Sequence, residues 1–214
     1  MDRLSVLFNL VGNGETFADV GCDHGYIAEM VLKSNKFEKV IISDISKKSL
    51  QKAVELLKPY GDRVTAIVSD GFKSFEVLPD EVMIAGMGGE EIVKILSSAI
   101  SLPKSLVLAP QKNSDKVRRF LTLFGYKILK DFTFKDKGKF YDAIKAVEAY
   151  EEQEEYSLDE YLFGRDNLRE KPQDFKEKIA LEIKTLEGVI LSSASETSKE
   201  KAREKVEKLR EILK

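Results

Sequence analysis

The sequence has one cysteine, Cys22, and one histidine, His24, and it contains no tryptophan. A single cysteine excludes an internal disulfide, and one cysteine with one histidine is too few for a usual structural zinc site. A membrane-spanning helix needs about 18 to 20 continuous apolar residues, and no window of the chain reaches that length without a charge. We therefore expect neither a metal centre nor a membrane span.

The start of the chain, from Met1 to Ser5, has no basic region followed by a long apolar one. It lacks the pattern of an export signal and predicts a cytoplasmic location. Opposite charges nearly balance, with 35 Lys and Arg against 37 Asp and Glu in 214 residues. This composition is typical of a soluble globular chain with one sizeable core and a small appendage. It leaves the oligomeric state open between a monomer and a weak dimer.

The chain changes character near residue 150. Eleven of the 13 glycines precede that point, and the acidic run from Glu151 to Glu160 contains no basic side chain. Such a run is typical of a solvated linker or a helix start. We therefore predict two domains, residues 1–155 and residues 156–214.

Short β-branched runs alternate with stretches of helical periodicity in the first domain. The predicted strands are 16–20, 39–43, 64–68, 82–85 and 105–109, and the predicted helices are 26–35, 46–57, 90–100 and 114–124. This alternation indicates parallel strands with right-handed crossovers, hence an open α/β sheet with helices on both faces. Strand-like stretches at 127–134 and 140–149 flank Asp136-Lys137-Gly138-Lys139, which predicts an antiparallel hairpin.

Apolar residues in the second domain recur at helical spacing in two stripes. They are Phe175, Ile179, Ile183, Leu186 and Ile190, then Ala202, Val206, Leu209 and Leu213. A turn at 192–195 separates the stripes, and Thr197 with Glu200 fits a capping box that opens the second helix. The pattern predicts an antiparallel helical hairpin of coiled-coil type.

Small or acidic residues follow each predicted strand of the first domain. In an open α/β sheet a ligand binds beyond the carboxyl ends of the strands, so these residues are the candidates for ligand contact. They are Asp19, Gly21, Asp23 and His24 after the first strand, Asp44 and Ile45 after the second, Asp70 and Gly71 after the third, and Ala85, Gly86 and Met87 after the fourth.

The chemistry of these loops favours a cationic nucleoside ligand over a dinucleotide. Asp23 stands where a dinucleotide would place its pyrophosphate, and like charges there would weaken binding. S-adenosylmethionine, with its sulfonium and ammonium groups, suits the acidic loop better. Gly21 allows close approach of the ligand, Asp44 can accept both ribose hydroxyls, and Asp70 can reach the adenine amino group. The alternative is that Asp19, Asp44 and Asp70 only cap the helices that follow them.

These motifs carry a family resemblance over nearly the whole chain. Five segments resemble the TrmK family of bacterial tRNA (adenine-N1)-methyltransferases: 19–26 (Asp-Val-Gly-Cys-Asp-His-Gly-Tyr), 43–45 (Ser-Asp-Ile), 70–71 (Asp-Gly), 85–89 (Ala-Gly-Met-Gly-Gly) and 139–141 (Lys-Phe-Tyr). One departure is that the family usually has Leu-Gln-Pro after the fifth strand, where this chain has Leu108-Ala109-Pro110-Gln111.

The resemblance implies a Rossmann-like class I methyltransferase domain followed by a coiled-coil tail. It also implies S-adenosylmethionine as cofactor and tRNA as partner, with methyl transfer to N1 of the adenine at position 22. Asp23 is then the candidate that accepts from the adenine amino group or stabilises the developing positive charge, and His24 orients the cofactor or the base. The alternatives are a loop hydrogen bond for Asp23 and a packing role for His24.

A base reached inside folded RNA must leave its stack, and aromatic side chains favour that step. Phe140 and Tyr141 are candidate stacking partners, with Met87 as a soft wall. The stretch 103–145 contains 11 basic and four acidic residues, which suits either phosphate contacts or a solvated lysine-rich face. The rival functions are a methyltransferase of the same fold acting on a small molecule or a protein, and a non-catalytic RNA-binding module. A nicotinamide dehydrogenase is disfavoured by Asp23.

Overall fold

The fold described here is that of a computed structural model, which describes residues 2–151 and 154–214. Its elements, in chain order, are α1 (Arg3–Leu10), β1 (Gly14–Val20), α2 (Tyr26–Ser34), β2 (Phe37–Asp44), α3 (Lys47–Leu57), β3 (Val64–Val68), β4 (Glu81–Ala85), α4 (Gly89–Ser97), β5 (Ser105–Ala109), α5 (Ser114–Leu123), β6 (Tyr126–Asp136), β7 (Lys139–Glu148), α6 (Leu158–Phe163), α7 (Arg165–Glu170), α8 (Gln173–Leu191) and α9 (Glu196–Leu213). A short 3-10 segment, Lys58–Arg63, links α3 to β3.

The strands form one seven-stranded sheet in the order β3-β2-β1-β4-β5-β7-β6. Strands β1 to β5 are parallel, and β7 pairs antiparallel with both β5 and β6. After β3, at one edge of the sheet, the chain crosses back to add β4 on the other side of β1. The direction in which successive strands are added therefore reverses between β1 and β4, which is the switch point of the sheet. This topology confirms the predicted open α/β sheet closed by an antiparallel hairpin.

Two apolar layers cover the faces of the sheet. One layer packs α1, α2 and α3 around Leu7, Phe17 and Ile42, and the other packs α4 and α5 around Ile84 and Leu108. The central strand β4 is buried along nearly its whole length, as a parallel strand covered on both faces must be. The layers hold the strand ends rigidly, so the loops at the carboxyl edge have fixed starting points.

The hairpin turn between β6 and β7 has the predicted sequence. Lys137 and Gly138 occupy its two central positions with φ of 46° and 77°. Two consecutive left-handed residues make the type I′ geometry that matches the twist of antiparallel strands, and glycine adopts it without a Cβ clash. Because β6 runs parallel to β5, the turn lies at the same sheet edge as the loops that follow β1 to β5.

The chain after residue 154 is helical, as predicted. A capping box at Ser157 and Glu160 starts α6, and α8 packs on α9 through Phe175, Ile179 and Leu209. The predicted capping box at Thr197 and Glu200 is wrong: Ser195 is the N-cap residue of α9, and its hydroxyl accepts from the backbone N–H of Ser198. Ser195 and Thr197, two hydroxyl residues two positions apart, made the register ambiguous in the sequence.

A buried polar network joins the helices of the tail to the sheet. The guanidinium of Arg118 donates to both carboxylate oxygens of Asp131 at 2.8 and 2.9 Å and to the carbonyl of Tyr161 at 3.0 Å. Asn167 donates to Thr133 and accepts from its backbone N–H. Helix α6 is therefore held on α5 and helix α7 on β6, although both follow the predicted domain boundary at residue 155, which stays a prediction. Residues 152 and 153 of the acidic run lie outside the described residues.

None of the helices in the ranges 2–151 and 154–214 is both long and apolar enough to cross a membrane.

Candidate active site

A cavity of about 780 Å³ opens at the carboxyl edge of the sheet, beside the switch between β1 and β4. That volume is typical of a site for a small molecule or cofactor. The position is the one where ligands bind in open α/β sheets. The cavity is lined by Asp2, Arg3, Leu4, Leu7, Asp19, Gly21, Cys22, Asp23, His24, Tyr26, Ile27, Asp44, Met83, Ala85, Gly86, Met87, Gln111, Asp136, Lys137 and Tyr141.

The loop between β1 and α2 is tightly wound. Gly21, Asp23 and Gly25 have φ of 76°, 45° and 75°, so left-handed residues alternate along it. The backbone N–H groups of Gly21 and Cys22 both donate to the carbonyl of Ser43, at 2.8 and 3.1 Å. This pair of hydrogen bonds fixes the loop to the end of β2, which brings the acidic side chains of two strands together.

Gly21 lines the cavity and lies against the side chain of Met87. A Cβ at this position would lie 2.1 Å from the terminal methyl of Met87. Any residue larger than glycine would therefore displace Met87 as well as strain the backbone. Gly21 lines the cavity, and its predicted role, close approach of a ligand to the main chain, stays a prediction.

Asp19 lies at the end of β1 and is buried, with 6% of its surface exposed. Burial raises the pKa of its carboxyl to about 7, and the negative charge of the nearby Asp44 adds to the rise. A hydrogen bond from the backbone of Ala28 lowers the pKa but does not cancel this rise. The contact with Ala28 places the carboxylate near the first turn of α2, so the helix-capping alternative holds in part for Asp19. A positive ligand in the cavity would favour its ionised form.

Asp44 is half-buried at the end of β2 and lines the cavity. One carboxylate oxygen accepts from the backbone N–H of Ser46 at 2.7 Å, and the other accepts from that of Asp23 at 3.4 Å. The N-cap of α3 is Ser46, not Asp44, because the hydroxyl of Ser46 accepts from Ser49. Each carboxylate oxygen of Asp44 has further acceptor capacity for a diol.

Asp23 and His24 form a side-chain pair at the cavity wall. Nδ1 of His24 lies 2.7 Å from Oδ2 of Asp23, and the imidazole stacks nearly parallel on Tyr26, with ring centroids 5.5 Å apart. The carboxylate of Asp23 thus has the imidazole of His24 as its partner. The alternative role considered for Asp23 was a hydrogen bond to a backbone amide of its own loop. Both predicted residues reach the cavity, and Tyr26 is a lining residue that the sequence reasoning did not select.

The loop between β4 and α4 forms the wall opposite the acidic residues. Ala85, Gly86 and Met87 all line the cavity, as predicted. The backbone N–H of Gln111 donates to the carbonyl of Met87 at 2.9 Å, and a Cβ on Gly89 would lie 2.1 Å from the carbonyl oxygen of Asn113. The β4–α4 loop and the loop between β5 and α5 are therefore packed backbone against backbone. Gln111, which belongs to the segment Leu108-Ala109-Pro110-Gln111 noted in the sequence, lines the cavity.

Three predicted residues lie outside the cavity lining. Ile45 is 71% exposed beside Asp44. The carboxylate of Asp70 pairs with Lys73 at 2.5 Å, and this hydrogen bond lowers the pKa of Asp70. Gly71, with φ of 62°, packs against Ile95. The structure thus brings eight of the eleven predicted residues to the cavity, and the roles of Ile45, Asp70 and Gly71 stay predictions.

Helix α1 and the β6–β7 turn complete the cavity, and the sequence reasoning missed both contributions. Asp2 caps α1 by accepting from the backbone N–H of Ser5 at 3.0 Å, and Arg3, Leu4 and Leu7 face the cavity. The signal was present in an acidic N-cap followed by apolar residues at three- and four-residue spacing. Asp136 and Lys137 of the β6–β7 turn also line the cavity, but they are distant in sequence from the other lining loops, and no local sequence pattern predicted this contact.

The aromatic residues predicted for base stacking differ in their placement. Tyr141 lines the cavity, with Phe134 stacked at 5.6 Å and the guanidinium of Arg3 at 5.4 Å from its ring centroid. Phe140 is absent from the lining residues, and Lys135 lies over its ring at 5.4 Å. Tyr141 is therefore the better placed of the two predicted aromatic residues.

The basic stretch 103–145 is not a uniform charged surface. Arg118 is completely buried, so its inclusion among phosphate-binding candidates was wrong. A buried guanidinium needs a carboxylate partner, and Asp131 on β6 supplies it. Lys116, Lys135 and Lys145 pair with Glu90, Glu177 and Glu81. The remaining cations of the stretch are the ones available to an anionic partner.

The sheet order, the antiparallel strand β7 and the strand-end cavity define a Rossmann-like methyltransferase fold. A family model described as TrmK, tRNA (adenine(22)-N(1))-methyltransferase, matches residues 17–214. The chain therefore belongs to the TrmK family of tRNA (adenine(22)-N(1))-methyltransferases. The resemblance inferred from the loop motifs is confirmed.

Individual relatives agree with this assignment. A Mycoplasma pneumoniae protein named as a candidate tRNA methyltransferase is 34% identical over 165 residues, which cover 75% of this chain and 76% of the relative. The tRNA (adenine(22)-N(1))-methyltransferase of Bacillus subtilis is 25% identical, with coverage of 99% and 95%. A Streptococcus pneumoniae crystal structure, of a candidate tRNA (m1A22) methyltransferase with S-adenosyl-L-methionine, has a TM-score of 0.89 at 24% identity and covers both chains completely.

Proposed function

We propose that this protein transfers a methyl group from S-adenosylmethionine to N1 of adenine 22 in tRNA, and that the reaction takes place in the strand-end cavity. The observation that carries the proposal is the convergence of three carboxylates, those of Asp19, Asp23 and Asp44, on one cavity at the switch point of a TrmK-family fold. Carboxylates suit a cationic donor and oppose a diphosphate.

The residues present fit S-adenosylmethionine. Gly21 and Asp44 line the same cavity, and Asp44 has acceptor oxygens for the ribose hydroxyls. Asp19 supplies negative charge at the cavity floor for the cationic part of the ligand. Asp70, Gly71 and Ile45 follow neighbouring strands at the same edge, where the adenine end would extend beyond the cavity. The Streptococcus pneumoniae relative, whose structure contains this donor, supports the choice.

The bound donor supplies an electrophilic methyl group on a sulfonium centre. N1 of adenine has its own lone pair, so the protein's main task is to align that nitrogen with the methyl group. Asp23 accepts a hydrogen bond from the adenine amino group and stabilises the positive charge that develops on the ring. His24 holds Asp23 in place through the 2.7 Å contact.

The target base must leave its stack to reach the cavity. Tyr26 and Tyr141 offer aromatic surface at the wall, and Met87 offers a polarisable apolar one. The helical tail, a coiled coil by our proposal, contacts the tRNA away from the cavity. We place the protein in the cytoplasm because tRNA is its substrate.

Methylation of unmodified tRNA tests the proposal. The purified protein is incubated with labelled S-adenosylmethionine and a tRNA transcript, and the methylated nucleoside is identified and mapped. We expect 1-methyladenosine at position 22, and no product with a transcript that carries guanine there. A methyl group on another atom or position would contradict the substrate assignment. No incorporation into tRNA despite donor binding would favour a small-molecule or protein substrate, and tRNA binding without donor binding would favour a non-catalytic module.

A further inference from the structure

Acidic and basic side chains reach the carboxyl edge of the sheet from different loops. Asp19 and Asp44 lie at the ends of β1 and β2, whereas Lys112 and Lys137, the rim lysines, come from loops further along the same edge. Lys112 follows Gln111, a lining residue, and Lys137 lines the cavity directly. The two lysines offer contacts to an anionic ligand, and the strand-end carboxylates offer contacts to a cationic one.

The side chain of Lys112 lies across the loop between β4 and α4. A Cβ on Gly88 would be 3.3 Å from its Cε and 3.7 Å from its Cγ. The aliphatic part of the lysine therefore packs against the glycine backbone, next to the lining residue Met87. This packing restricts the lysine before any ligand binds.

Lys137 is held at the rim by the backbone rather than by side-chain packing. It occupies the first central position of the β6–β7 turn with φ of 46° and is exposed. Neither Lys137 nor Lys112 has a carboxylate partner within 4.0 Å in the part of the chain that the structure describes, whereas Lys116 and Lys135 of the same stretch do. Asp136, beside Lys137, also lines the cavity, and Asp2 is engaged by Ser5.

We propose that Lys112 and Lys137 bind the backbone phosphates that flank the adenosine being methylated. The inference rests on the proposed function, and it assigns the entry of the RNA strand to two residues. A nucleotide turned into the cavity leaves its neighbouring phosphates at the mouth, where two ammonium groups from separate loops meet them. Phosphate contacts of this kind position the strand and carry no sequence information.

Salt-dependent tRNA binding tests the two lysines. Lys112→Gln and Lys137→Gln remove one charge each, and Lys104→Gln is the matched control, since Lys104 is an exposed lysine of the same stretch at the opposite edge of the sheet. We expect each rim variant to weaken tRNA binding about five- to tenfold and to reduce the slope of log K against log salt by about 0.7 to 0.9. The affinity for S-adenosylhomocysteine stays unchanged, and the control behaves as the unaltered protein.

A second measurement locates the contacted phosphates. A synthetic tRNA with neutral methylphosphonates on either side of adenosine 22 should bind the unaltered protein more weakly and lose little further affinity with the double variant. The proposal would be overturned if the losses of tRNA affinity from the methylphosphonates and from the double variant were additive. It would also be overturned if the Lys112 and Lys137 variants bound tRNA as tightly as Lys104→Gln does. If the unaltered protein neither binds tRNA nor methylates it, the proposed function itself fails, and the two failures are thus distinguishable.

Discussion

The terminal methyl of Met87 lies against the bare Cα of Gly21, so that a Cβ on Gly21 would be only 2.1 Å away. The two residues come from the loops after β1 and β4, the strands that flank the switch point. Both residues line the cavity. Glycine is favoured here by its φ of 76°, and an added Cβ would also force the methyl of Met87 to move.

Replacing Gly21 should therefore affect ligand binding beyond its effect on the fold. We expect Gly21→Ala to cost about 1 to 2 kcal/mol in the free energy of unfolding, because of the left-handed backbone, and to lower donor affinity at least tenfold. Gly125→Ala is the matched control: Gly125 has the same φ of 76°, and a Cβ added there would meet no atom within 4 Å. Urea denaturation and calorimetry with S-adenosylhomocysteine separate the two effects. Equal donor affinity in both variants would show that the contact with Met87 has no role.

Asp44 and Asp70 end neighbouring strands, but only Asp44 lines the cavity. We expect Asp44→Ala to weaken donor binding about 30- to 100-fold, since two charge-assisted hydrogen bonds to the ribose are lost. Asp70→Ala should cost less than about tenfold, as expected for one hydrogen bond. Calorimetric titration with S-adenosylhomocysteine measures both. Asp44→Asn can keep the contact with Ser46 and therefore controls for distortion of the loop. An unchanged affinity for S-adenosylhomocysteine in Asp44→Ala, Asp44→Asn and Asp70→Ala would contradict the ribose assignment.

Donor binding should release a proton near neutral pH through Asp19. Burial raises the pKa of this carboxyl to about 7, and a cationic ligand favours the ionised form. The observed binding enthalpy at pH 6.5 should therefore depend on the ionisation enthalpy of the buffer, and Asp19→Asn should abolish that dependence. A buffer-independent enthalpy in the unaltered protein would contradict the placement of a positive group beside Asp19.

The same group gives a stability prediction whose sign follows from its raised pKa. Its contribution to the free energy of unfolding is fully present below the ordinary value of 3.8 and is lost as the pH rises towards 7. In the absence of donor, Asp19→Asn should therefore flatten the decline in stability over that interval. Urea midpoints measured from pH 4 to pH 8 test this, and an unchanged profile would contradict it.

Arg118 should be essential to the attachment of the tail. Arg118→Met leaves the buried carboxylate of Asp131 unpaired and should cost about 3 to 5 kcal/mol in the free energy of unfolding. The neighbouring Arg119→Met should cost less than about 1 kcal/mol, because that exposed guanidinium only stacks on Tyr161. Replacing Arg118 and Asp131 together by Met and Leu should recover much of the loss. Equal denaturation midpoints for Arg118→Met and Arg119→Met would contradict the account.

Local patterns in the sequence predicted most of the sheet. The strands Val64–Val68 and Ser105–Ala109 have the predicted bounds, and Lys137-Gly138 forms the predicted turn. These elements are specified by β-branched runs and by residues that tolerate a positive φ, both of which are readable within a few positions. The acidic and glycine-bearing strand ends predicted the cavity for the same reason.

Features that depend on distant partners were not predictable in this way. Arg118 was counted as a surface cation because its burial depends on Asp131 and on the carbonyl of Tyr161, which lies 43 residues away. The closure of the cavity by Arg3 and Tyr141 likewise joins the two ends of the first 150 residues. Charge composition gives the number of cations, but only the fold decides which of them face water.

The most direct test of the central claim is a crystal structure of the protein with S-adenosylhomocysteine. We predict density within the strand-end cavity, with the ribose hydroxyls within hydrogen-bond distance of Asp44 and the ligand's sulfur near Gly21 and Met87. A ligand bound elsewhere on the protein, or one whose ribose lies away from Asp44, would contradict the account.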